Sequence, residues 1–93
     1  MISEKEIYIP DNFIVDEVEK FRQNINKYID DGTINFIFNF ERCSFIDSTG
    51  LGTIVSVYKK CVEKNGDIVL KSMKPDVLKL FKMTRLNKVF KII

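Results

Sequence analysis

The apolar residues of the chain fall into two spacings, and each predicts one kind of element. Ile34, Phe36, Phe38 and Phe40 are separated by Asn35, Ile37 and Asn39, a period of two that only a strand presents as one apolar face. Three phenylalanines on that face predict a central core strand, with Ile37 and Asn39 on the other side of the sheet. Over residues 14–29 the apolar positions are Ile14, Val18, Phe21, Ile25, Tyr28 and Ile29, the three-and-four spacing of one helical face. Asp16, Glu17 and Glu19 lie in its early turns, where negative charge suits the helix dipole, and Gly32 is placed to terminate it.

A second helical stripe carries Leu51, Ile54, Val55, Tyr58, Cys61 and Val62 and closes at Asn65-Gly66. Its outward face is expected to hold Thr49, Gly52, Thr53, Ser56 and Lys60, with Val57 at the edge. Small residues where long charged ones are usual predict that another surface comes close there. Residues 6–9 and 67–70 read as further strands, the first closed by the turn formers Pro10-Asp11-Asn12. Lys74-Pro75-Asp76 opens a last helix with Val77, Leu80, Phe81 and Thr84 inward and Leu78 beside them, and residues 89–93 read as a strand or the start of another helix. The order β-α-β-α-β-α-β implies parallel, right-handed crossovers. The expected architecture is α/β: one small, mostly parallel (mixed) sheet of four to five strands with helices packed mainly on one face.

Composition narrows the class. Ninety-three residues, 45% hydrophobic and 30% charged, suit one globular domain spanning 1–93 and exclude a disordered chain. The first residues lack the basic and apolar regions of a leader, and no run approaches the ~20 apolar residues of a membrane span. A cytoplasmic protein without a membrane partner is expected. There is no histidine, and Cys43 and Cys61 stand far apart, so no metal site is expected and both thiols read as reduced core residues. Residues 1–58 carry five basic and ten acidic side chains, residues 59–93 ten basic and three acidic. No arginine-rich cluster, stacking aromatics or zinc pattern accompanies the lysines, so direct nucleic-acid binding is not expected.

The chemistry concentrates in Cys43-Ser44-Phe45-Ile46-Asp47-Ser48-Thr49-Gly50-Leu51-Gly52, where a strand-like run meets a helix start. Two hydroxyls compete for one capping role; Thr49 is the expected cap. Ser48 is then free at the positive end of the helix dipole, where a phosphate is tolerated. Asp47 either orients the Ser48 hydroxyl or meets a partner. Catalysis lacks a histidine base, and Gly50-Leu51-Gly52 lacks the spacing and lysine of a phosphate loop, so neither an enzyme nor a nucleotide cofactor is expected.

This junction, followed by a lysine-bearing helix, Asn65-Gly66, the strand Ile68-Val69-Leu70 and the segment Pro75-Asp76-Val77-Leu78-Lys79-Leu80-Phe81-Lys82-Met83-Thr84-Arg85-Leu86, resembles the STAS domain of bacterial anti-sigma factor antagonists. The resemblance implies that Ser48 is phosphorylated by a cognate anti-sigma factor, itself a serine kinase. It implies that the unmodified protein binds that factor and frees a sigma factor, and that a phosphatase acting on phospho-Ser48 restores binding. Asp47, Ser48, Thr49, Gly50, Gly52, Thr53 and Ser56 then form the expected docking face. The chain departs from the family in being short before residues 6–9, where another strand is usual. Its Asp11-Asn12-Phe13-Ile14 also ends in Ile14 where the family has an acid. The alternative reading is a constitutive scaffold or oligomerisation module of the same fold, self-associating through its early sheet edge; nucleotide sensing near Gly50–Gly52 is a third.

Overall fold

The computed structural model describes residues 4–93; Met1–Ser3, part of the stretch read above for a leader, lie outside them. The elements are β1 (Glu4–Tyr8), β2 (Asn12–Phe13), α1 (Val15–Asp30), β3 (Asn35–Asn39), β4 (Phe45–Ile46), α2 (Ser48–Glu63), β5 (Asp67–Lys71), α3 (Pro75–Met83), a 3₁₀ turn (Leu86–Lys88) and β6 (Lys91–Ile92). β1, β3, β5 and β6 form one four-stranded sheet in that order, parallel throughout, and β2 pairs with β4 in a separate parallel ribbon. The expected architecture is confirmed; the last segment is a strand only at Lys91–Ile92, because Val89 and Phe90 belong to the turn that leads into it, and Thr84, expected inward, is the exposed C-cap of α3.

Register decides which side chains meet. Ile7, Phe38 and Leu70 lie abreast, as do Phe36 and Ile68, and the helices cover that face with Val18, Phe21, Ile25, Ile54, Val57, Val77 and Phe81. Phe13, Phe21 and Phe38 meet edge to face, with centroids 4.9 and 5.4 Å apart, the favoured geometry for ring quadrupoles. Ile34 is only half-buried, so the core run is Phe36 and Phe38 of β3 with Phe40 just past its end. Asn39 departs from the expected pattern because it is buried: its amide donates to Glu6 Oε2 at 2.8 Å and its Oδ1 accepts from the Glu41 N–H at 2.9 Å. Its polar atoms are thus satisfied, and it pins the turn that leads toward β4.

Both long helices end in the same hydrogen-bonded motif. At α1, Gly32 takes φ +98°, with its N–H bonded to Ile29 O and that of Thr33 to Tyr28 O. At α2 the left-handed residue is Asn65 (φ 66°) rather than Gly66. Gly66 is needed for space, since a Cβ there would collide with the Ile34 carbonyl.

Candidate functional site

The site is the end of the molecule where parallel strands finish and helices begin. β2 and β4 run side by side, Asn12 opposite Phe45 and Phe13 opposite Ile46, and each passes through one extended residue into a helix. Those residues, Ile14 and Asp47, are the N-caps of α1 and α2. The two helix starts therefore lie next to each other. The ribbon is anchored by the Ser44 and Phe45 N–H groups on Asp11 O, at 2.8 and 3.2 Å, and by the Cys43 thiol, which donates to Phe45 O at 3.4 Å. Burial raises the pKa of Cys43, and burial beside Asp67 raises that of Cys61 to about 11, so both thiols are neutral packing groups.

Thr49 was the expected cap, and the structure corrects this. Asp47 caps α2: its Oδ1 accepts from the Gly50 N–H at 2.8 Å, while its own carbonyl accepts from Leu51 N–H at 2.9 Å. Aspartate ranks above threonine at an N-cap, and the helix begins two residues earlier than a cap at Thr49 would place it. Asp47 therefore does not orient the Ser48 hydroxyl. Ser48 and Thr49 are exposed first-turn residues, and among the described residues neither hydroxyl has a hydrogen-bond partner. No acidic residue stands in the first turn of α2 itself, leaving the Asp47 carboxylate as the charge at its positive end.

Of the α2 residues expected in the docking face, Thr49, Gly52 and Ser56 are exposed and line up along the helix. Two are not there. Thr53 is 2% exposed, with its hydroxyl donating back to Thr49 O at 2.9 Å, which satisfies the polar atom inside its own helix. Gly50 is buried against Phe13, where a Cβ would overlap the Phe13 carbonyl and press on Ile46. It is a packing residue, and its N–H is occupied by Asp47, so it offers no donor to a nucleotide. The buried stripe of α2 is rotated accordingly, running through Gly50, Thr53, Ile54, Val57 and Cys61, and Val62 is exposed. α2 packs on α1 as well as on the sheet, which widens its buried arc beyond what one-sided periodicity gives.

The site also contains residues that periodicity could not single out. Phe45 is 55% exposed beside Ser48's helix start, and Val15 is 61% exposed at the first position of α1. Phe45 bounds a groove with Ser44, Ile46, Val77 and Leu80, and Lys74 Nζ donates to Ser44 Oγ at 3.0 Å. Two-residue strands carry no readable period; the in–out pair Phe45-Ile46 was the only available signal. No helix among the described residues is long and apolar enough to cross a membrane.

A family model described as the STAS domain matches residues 6–93. Among solved structures, the anti-sigma factor antagonist SpoIIAA in its unphosphorylated form is 26% identical, with a TM-score of 0.78 over 100% of this chain and 83% of that one. The Bacillus cell fate determinant SpoIIAA in its phosphorylated form is 27% identical, with a TM-score of 0.77 over 100% and 86%. A candidate anti-sigma factor antagonist from Thermotoga maritima (21% identity, TM-score 0.85, 94% of this chain and 77% of that one) shares the fold. So does a sulfate transporter family protein from Wolinella succinogenes (13%, 0.82, 96% and 75%).

Proposed function

This chain belongs to the STAS domain family, and from that premise we propose that it is an anti-sigma factor antagonist whose binding state is set at Ser48. The observation that carries this reading is the division of labour at the start of α2. Asp47 does the capping, so the Ser48 hydroxyl is exposed and uncommitted. Modifying it removes no bond that the fold uses.

Ser48 stands at the first helical position, beside first-turn N–H groups that have no intrahelical acceptor. A phosphate there gains from those donors and from the dipole, so the domain stays folded. The same group adds about −1.5 to −2 charges and a tightly held hydration shell. It sits on a face of small residues, Thr49, Gly52 and Ser56, flanked by exposed Phe45 and Val15. A partner that fits closely against this face in the unmodified protein meets a bulky, hydrated dianion in the modified one, beside the Asp47 carboxylate. The partner is an anti-sigma factor with serine kinase activity, and a phosphatase reverses the modification. Gly50 and Thr53 contribute from beneath the surface, by holding α2 against Phe13 and closing its first turn.

Incubation with the cognate anti-sigma factor and ATP is expected to add one phosphate, located at Ser48 by tandem mass spectrometry and absent in Ser48→Ala. Ser48→Ala is expected to keep its affinity for the partner. A phosphate found elsewhere, or none, would overturn the assignment.

A further inference from the structure

We draw no further inference here: the strongest candidate, the groove of about 550 Å³ between α1 and β1, the end strand of the four-stranded sheet, sets Lys20 and Lys27 among Glu17 and Asp31, and nothing in the structure shows what covers it.

Discussion

The starts of α1 and α2 are the same backbone device built twice, with opposite chemistry. Both follow a strand of the β2–β4 ribbon, and both pass through an extended residue, Ile14 at φ −120° and Asp47 at φ −100°. At Ile14 no side chain caps the helix; Asp16 and Glu17 in the first turn answer the dipole instead. At Asp47 one carboxylate both caps and carries the only charge at the helix start, followed by two free hydroxyls and a glycine pressed on the neighbouring junction. The first start is finished, since its dipole is already met by fixed charge. The second is left able to accept one more anion, which is what a phosphorylation switch needs.

Breaking the contact between the two junctions should have the largest effect. Gly50→Ala drives a Cβ into the Phe13 carbonyl, and overpacking of this kind costs about 1–3 kcal/mol, measurable as a lower urea midpoint. Gly52 lies two residues on and has nothing within 4 Å of its would-be Cβ.

Asp47→Ala removes the cap and is expected to cost about 1 kcal/mol, while Asp47→Asn retains most of the stability because asparagine caps as well as aspartate does. A loss in Asp47→Asn as large as in Asp47→Ala would mean that the charge, and not the hydrogen bond to Gly50, holds the helix start. Gly52→Ala should raise stability by roughly 0.5–1 kcal/mol, the penalty of glycine inside a helix. The proposed docking predicts that it lowers partner affinity at the same time; improved stability with unchanged binding would remove Gly52 from the interface. Smallest of all, Ser48→Ala and Thr49→Ala should alter stability by no more than about 0.5 kcal/mol, since neither hydroxyl is bonded.

The same comparison shows how far the sequence could be read. Long elements with a clear period were legible: the Phe36–Phe38 alternation, the Val18–Ile29 stripe and the strand at Ile68–Leu70 all occupy their expected places. β2 and β4 were not, because two residues have no period, and with them went the recognition that Ile14 and Asp47 are equivalent positions. The candidate site was read at residues 47–56, and the structure shifts the assignments within it. Either Asp47 or Thr49 can cap, and choosing between them needs the helix start to within one residue. Thr53 was placed outside because the apolar stripe through Leu51, Ile54, Val55, Tyr58, Cys61 and Val62 leaves it on the opposite face; its buried position depends on α1 lying against α2, a tertiary contact that pattern along one helix does not encode.

The central claim is that charge at Ser48 blocks a partner without disturbing the fold, and Ser48→Asp tests it most directly through two measurements on one sample. Urea unfolding should give a stability equal to wild type or higher, since an added carboxylate at a helix start contributes about 0.3–1 kcal/mol. Titration against the anti-sigma factor should give an affinity at least about tenfold weaker, or ~1.4 kcal/mol. Wild-type affinity in the folded variant would contradict the account, as would a loss of binding that merely follows from unfolding.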